Sequence, residues 1–232
     1  MGPYLQAGWR DGVTAPILDR TAFIRANTSV LAPPLVPEVL LHLAHEAVPV
    51  WQKTEEELGE IGLPPPFWAF AWAGGQALAR HVLDHAAIVH GKRVIDLASG
   101  SGLVGIAAKK AGAVHVLAAD IDCFAVPAIT LNAGLNGVTV EVTGEDLLIQ
   151  PPPETDVILV GDLFYEKTIA TRCFEWLTQA YLAGKTVLIG DPGRSYLPRE
   201  KLEKLTEYAV PVTRELEDAE IKRTAVWRLA RN

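Results

Sequence analysis

Cysteine is almost missing from this chain: only Cys123 and Cys173 stand among its 232 residues. Their spacing suggests no metal site, so both are expected to be buried thiols in a reducing compartment. Basic clusters are also missing. No run of lysine and arginine exceeds the pair Lys109-Lys110, and the net charge is −7 with a pI of about 5.4. That excludes a global basic footprint for nucleic acid. An acidic surface suits a basic or lysine-bearing partner instead. There is no apolar run of about 18 residues, which leaves no membrane span. The N-terminal segment has no charged stretch followed by an apolar one, and Asp11 and Asp19 argue against a transit peptide. The expectation is a soluble, cytoplasmic protein. No internal repeat or low-complexity tract appears.

What is present is a 49% hydrophobic chain of a length that suits one large domain, or one domain with an N-terminal appendage. Residues 1–35 read as irregular. Val39, Leu40, Leu43 and Ala44 recur at helical spacing, which predicts a helix over 37–45. Thr54 to Glu60 is acidic and reads as helical. A proline-rich aromatic stretch, "LPPPFWAFAWAGG", leads into a helix over 77–83. After Gly91 strands and helices alternate. Strands are expected at "KRVIDLA", "AVHVLAAD", "VTVEVTG", "TDVILVGD" and "KTVLIGD". Helices are expected at "LVGIAAKKAG", "CFAVPAITLNAGLNG" (with Asn136-Gly137 as its stop), "ATRCFEWLTQAYLAG" and "PREKLEKLTEYA". Two more strands, near 210–216 and 222–229, have a link short enough for a hairpin. The pattern predicts a doubly wound, mostly parallel α/β sheet with one antiparallel C-terminal strand. A helical N-terminal extension over 1–73 would precede a main domain over 74–232.

The loop "VIDLASGSGLVG" contains Gly100-x-Gly102-x-x-Gly105, the pattern of a dinucleotide fingerprint. It also contains Asp96. In a dinucleotide site the pyrophosphate lies on the helix N-terminus, and a carboxylate at the strand end would repel it. S-adenosylmethionine carries a sulfonium and an ammonium, which a carboxylate attracts. Asp120, 24 residues after Asp96, ends the second strand and can accept ribose hydroxyls in either cofactor class. Asp146 follows the third strand, where it could meet an adenine amino group. Asp162-Leu163-Phe164-Tyr165 ends the fourth. Four acidic strand ends over one crevice favour the cationic cofactor. The expected cofactor-binding residues are Trp72, Asp96, Ala98, Ser99, Gly100, Gly102, Asp120, Ile121, Asp146 and Asp162.

The runs "PPFWAFAWAGGQALARHVLD", "GKRVIDLASGSGLVGIAAKKAGA", "AADID", "AITLNAGLNG", "GDLFYE" and "VLIGDPGR" resemble the electron transfer flavoprotein beta subunit lysine methyltransferases. These are seven-strand, Rossmann-like methyltransferases with a D-x-x-Y motif after the fourth strand. The match runs from about Pro64 to Arg194 and reappears in "TAVWRL". It departs at Ala98, where glycine is usual and a methyl is tolerable if φ stays negative. It departs again at "WAGG", where proline often precedes the glycines. The resemblance implies methyl transfer to lysine side chains of that flavoprotein subunit, with a ribosomal protein as the alternative substrate.

Asp162 and Tyr165 are the expected catalytic residues. Asp162 would aim the amine, and Tyr165 would bond it or shape its channel. The bland reading of Asp162 is an N-cap for the helix that follows. Phe164 and Tyr165 could simply pack over the sheet end, and Trp68 and Trp72 could be core residues or cation–π partners. His42 and His45 with Glu46 have the order H-x-x-H-E, not H-E-x-x-H, and read as a solvated helix face with no metal. Arg194 reads as a surface salt bridge, or as a contact to an acidic substrate patch. Ribosomal-protein methyltransferases tend to have Asn at the fourth strand end, and base-modifying ones [DN]-P-P-[YF]; "GDLFY" fits neither. A nicotinamide oxidoreductase and a non-enzymatic cofactor-binding module complete the alternatives.

Overall fold

The fold is built on strands that are apolar on both faces, as a sheet covered on both sides requires. The computed structural model describes residues 19–44, 65–212 and 220–230. β3 (Arg93–Leu97), β4 (His115–Ala119), β5 (Glu141–Thr143), β6 (Val157–Gly161) and β7 (Thr186–Asp191) are parallel. β8 (Leu202–Pro211) and β9 (Ile221–Leu229) complete a seven-stranded sheet of order β5-β4-β3-β6-β7-β9-β8. β9 runs antiparallel to both of its neighbours. The expected doubly wound, mostly parallel sheet with an antiparallel C-terminal strand is therefore found.

The strands' two-residue period divides the core. Val94, Val157, Leu159 and Leu188 pack with α2 (Ala73–Asp84) and α3 (Leu103–Lys110). Ile95, Leu97, Ile158, Val160, Val187 and Ile189 pack with α5 (Lys167–Leu182) on the other face. α4 (Ala125–Leu135) lies beside α3, with Ile129 against Ala118 of β4. Its C-cap is Asn136 and Gly137 follows at φ 63°, which bears out the expected stop.

Three secondary-structure expectations fail. The segment 37–45 is not a helix. It turns at Val36–Val39 and forms β2 (Leu41–Leu43), which pairs antiparallel with β1 (Ser29–Leu31). All three β2 residues are buried. Two amides of α4 hold this segment extended. Asn132 Oδ1 accepts the His42 N–H (2.7 Å), and the Asn136 amide bonds the Leu40 N–H (3.0 Å) and C=O (2.6 Å). His42 is therefore a buried strand residue bonded to Thr28 Oγ1 (3.0 Å), not part of a solvated helix face. Within 1–35, residues Arg20–Asn27 form helix α1, capped by Asp19, which accepts the Ala22 N–H. Residues 1–18, the acidic segment 54–60, His45 and the link at 213–219 lie outside the described residues.

The third failure is "PREKLEKLTEYA", which is not a helix but mostly β8. Its charges sit at helical spacing, yet after a short turn at Arg199–Lys201 β9 pairs with it from Leu202 onward, and two of its salt bridges cross strands: Glu203 to Arg228 and Glu207 to Arg223. A bulge at Leu205 exchanges the faces. Leu202 packs in the α5 layer, whereas Tyr208 and Val210 pack in the α2 layer. Tertiary pairing overrides the local helix preference here. Cys173 is buried, its thiol pushed up to about 12 by desolvation, but Cys123 is exposed, against expectation. Among the described residues no helix is long and apolar enough to cross a membrane.

Candidate active site

β3 and β6 are neighbours, and the loops after them open at the same sheet edge. Near the end of β3, just before the first loop, Asp96 is 1% exposed and accepts from Ser99 Oγ (2.5 Å) and from the Gly105 N–H (2.8 Å) through one oxygen, Oδ2. Gly105 is in the first turn of α3, where an N–H has no helical partner. Asp96 thus occupies part of the helix end that a pyrophosphate would need. Burial without a cation pushes its carboxyl up to about 7, and Asp120 nearby adds to the rise. Gly102, at φ 84°, is the N-cap of α3, a left-handed position that favours glycine. Ala98 is also left-handed, at φ 53°, so the condition of a negative φ, under which its methyl would be tolerable, is not met. An alanine in this region costs about 1–2 kcal/mol.

Asp120, just past β4, closes onto the same loop. Its Oδ2 accepts the Gly100 N–H (2.8 Å) and its Oδ1 the Asp122 N–H (2.9 Å). Ser99 N–H bonds the Ala119 carbonyl (3.1 Å). Ile121 is 70% exposed beside this cluster. Burial raises the carboxyls of Asp120 and Asp122, the latter to about 6. Asp146 is turned to other partners: it caps the turn Leu147–Ile149 and pairs with Arg172 of α5 (2.8 Å).

Asp162, the residue after β6, is left-handed at φ 58°. It does not cap α5; Glu166 does, accepting the Thr168 and Ile169 N–H groups. Instead Asp162 reaches across to α2, whose Gly75 N–H donates to Oδ2 (2.8 Å). Gly74 permits this approach, because a Cβ there would lie 2.5 Å from Asp162 Oδ2. Arg194 donates to Oδ1 through Nη2 (2.7 Å) and Nε (3.2 Å). It is thus a largely buried ion-pair partner, not a surface one. Burial still raises Asp162 to about 6, with Arg194 pulling down and Asp191 pushing up.

Aromatic residues join the two loops. Trp72, the N-cap of α2, lies 5.6 Å from the Arg194 guanidinium and donates its indole N–H to the Phe67 carbonyl (2.9 Å). Phe67 meets Tyr165 at 5.7 Å, and its carbonyl is 3.9 Å from where a Gly100 Cβ would stand. Tyr165 is 49% exposed at the rim, while Phe164 is fully buried. Trp68 stacks on Phe124 and is core. The pairing of Asp162 with Gly75 and Arg194, and the bridging by Phe67, were not anticipated. The "WAGG" and "DPGR" runs were their only sequence signals.

The residues suit a cationic ligand. Around the glycine loop stand Asp96, Asp120 and Asp122, and two of the donors that a phosphate would use, the Gly100 and Gly105 N–H groups, already serve carboxylates.

The family profile "Ribosomal protein L11 methyltransferase (PrmA)" matches residues 77–161. The electron transfer flavoprotein beta subunit lysine methyltransferase of Mus musculus is 39% identical, over 89% of this chain and 82% of its own length. That of Homo sapiens is 34% identical, over 97% of this chain and 87% of its own. Among solved structures, the ribosomal protein L11 methylase of Lactobacillus delbrueckii subsp. bulgaricus superposes with a TM-score of 0.50. It is 22% identical and covers 70% of this chain and 81% of its own.

Proposed function

The chain belongs to the electron transfer flavoprotein beta subunit lysine methyltransferase family, and from that premise we propose how its two loops divide the work. It is an S-adenosylmethionine-dependent protein-lysine methyltransferase acting on the beta subunit of electron transfer flavoprotein. The observation that carries this reading is the carboxylate of Asp162. It is buried at the end of β6 and held by Gly75 and Arg194, with Trp72 against the Arg194 guanidinium and Tyr165 against Phe67.

The glycine loop with Asp96, Asp120 and Ile121 would hold the cofactor, which would supply an electrophilic methyl group. At neutral pH only about one free lysine in ~2,500 is an uncharged nucleophile. When bound, the cofactor would give its methyl group to the lone pair of that neutral amine and keep the S–C electron pair, and the amine's surplus proton would go to solvent. Asp162 aims the amine, and Tyr165 shapes its approach; positioning supplies most of the acceleration. In this reading residues 1–73 form an extension whose Phe67 and Trp72 complete the site that residues 74–232 build.

The test is incubation of the purified protein with labelled S-adenosylmethionine and the purified beta subunit, followed by intact-mass measurement. Steps of one methyl mass on the subunit are expected. A label found only on ribosomal protein L11, supplied in parallel, would overturn the substrate in favour of the reading that the profile match over 77–161 supports.

A further inference from the structure

Arg194 is fixed at both ends. Asp191, the last residue of β7, accepts the backbone N–H groups of Gly193 (2.6 Å) and Arg194 (2.7 Å) on Oδ1. The guanidinium then passes Trp72 and gives two N–H groups to Asp162 Oδ1. From α2, the other element packed against Asp162, the contact is the backbone N–H of Gly75. Arg194 and Asp191 are therefore the charged groups that face Asp162 among the described residues. The pair is nearly closed to water, with side chains 20% and 10% exposed.

We propose that Arg194 is a positioning residue for methyl transfer, holding Asp162 as an immobile anion so that its carboxylate aims the incoming amine. This rests on the lysine methyltransferase reading above. The physical reason is the balance of charges. Burial and the neighbouring Asp191 both push Asp162 toward its neutral acid; Arg194 opposes them most, and the Gly75 N–H adds to it. A neutral acid attracts an ammonium only weakly, and without the guanidinium one Asp162 oxygen loses both of its charge-assisted bonds. The two N–H groups on one oxygen also fix the carboxyl plane, which the Gly75 bond alone leaves free to turn.

The experiment compares wild type, Arg194→Gln and Arg194→Lys by kcat against pH on the beta subunit. It also follows the 13C carboxyl signal of Asp162, assigned with Asp162→Asn. The wild-type to Arg194→Gln ratio of kcat is expected to be about tenfold near neutral pH and to shrink to about twofold two units higher, because each unit of pKa changes the ionised fraction about tenfold below it. The Asp162 signal should titrate at higher pH in Arg194→Gln, and Arg194→Lys should recover most of both effects. A ratio that does not change with pH, or an Asp162 titration that does not move, overturns the proposal. A merely structural Arg194 would lower activity equally at every pH. Wild type that leaves the beta subunit unmodified refutes the substrate reading instead, and the 13C titration still decides whether Arg194 holds the anion.

Discussion

The loops after β3 and β6 are built alike and charged differently. Each has a non-glycine residue in the left-handed region, Ala98 and Asp162. Each is anchored by a buried aspartate, Asp96 near the end of β3 and Asp162 just after β6, whose Oδ2 accepts an N–H in the first turn of a helix. Asp96 takes the helix that follows it, Asp162 one that precedes it by 87 positions. The difference is the cation. Asp96 is buried and bonded only by the neutral Ser99 and Gly105 among the described residues, and it rises to about 7. Asp162 has Arg194 and rises only to about 6, despite Asp191 beside it. One carboxylate is a fixture of the cofactor loop. The other has its charge held in place and can act on a substrate.

Removing Asp162 should break this comparison most completely. Asp162→Ala is expected to lower methylation of the beta subunit by about 100-fold or more, because misplacing a reactant by about 1 Å costs that much. It also strands Arg194 and the Gly75 N–H, so stability should fall by about 3 kcal/mol, the low end for breaking a buried pair. Asp162→Asn keeps the shape and removes the charge. Activity of Asp162→Asn near wild type in the methylation assay would mean that geometry alone suffices, and wild-type rates for Asp162→Ala would move the catalytic centre elsewhere.

Asp120→Ala acts on the other loop. It removes the acceptor for the Gly100 and Asp122 N–H groups and the carboxylate expected to meet ribose hydroxyls. A charge-assisted hydrogen bond contributes about 1.5–3 kcal/mol. Calorimetric affinity for S-adenosylmethionine should therefore weaken by about 10- to 100-fold per bond lost, while the Asp162 titration stays put. Unchanged affinity would remove Asp120 from the cofactor site.

Asp96→Asn sharpens the contrast in the opposite direction. A carboxyl whose folded pKa is raised stabilises the fold fully below its unfolded value, and that stability is lost as pH rises through about 7. An amide keeps the acceptor for Gly105 and is never charged. Asp96→Asn should therefore raise the melting temperature at about pH 8 by a few degrees, ~3–6 °C, and flatten its pH dependence below neutrality. Asp162 is raised as well, but only to about 6, so Asp162→Asn should gain less at that pH, and its amide leaves Arg194 without a counter-ion. If both substitutions shift the melting temperature equally at that pH, the cation does not distinguish the two loops.

The parallel sheet was readable because its strands are long apolar runs between glycine and proline punctuation, and "VILVG" and "TVLIGD" admit few other placements. The N-terminal hairpin and β8 were not readable, because their conformations are set by distant partners. Asn132 and Asn136 hold Leu40 and His42 extended from 90 or more positions away. β9 likewise draws a charged segment into an edge strand. The site divides the same way. The strand-end carboxylates were found by counting from strand to strand. The Gly75 and Arg194 bonds to Asp162, which make its loss costlier than the loss of a simple cap, follow from a close approach at Gly74 that spacing does not encode.

The smallest expected effect lies at Ala98. Its φ of 53° places a methyl group where glycine is comfortable. Ala98→Gly should recover about 1–2 kcal/mol of left-handed strain. Against that, a glycine loses more chain entropy on folding, about 0.5–1 kcal/mol. The net expectation is a stabilisation of up to about 1.5 kcal/mol, which denaturant unfolding at matched m-values can resolve. Asp162 has a similar φ, but replacing it with glycine would relieve the strain and remove the carboxylate together. Ala98 alone therefore separates backbone strain from chemistry. Ala98→Gly should leave the pH profile of methylation unchanged, since no titrating group is touched. A loss of stability in Ala98→Gly would mean that the methyl group packs well enough to outweigh its backbone cost, and that the left-handed turn after β3 is held by side-chain contacts rather than tolerated despite them.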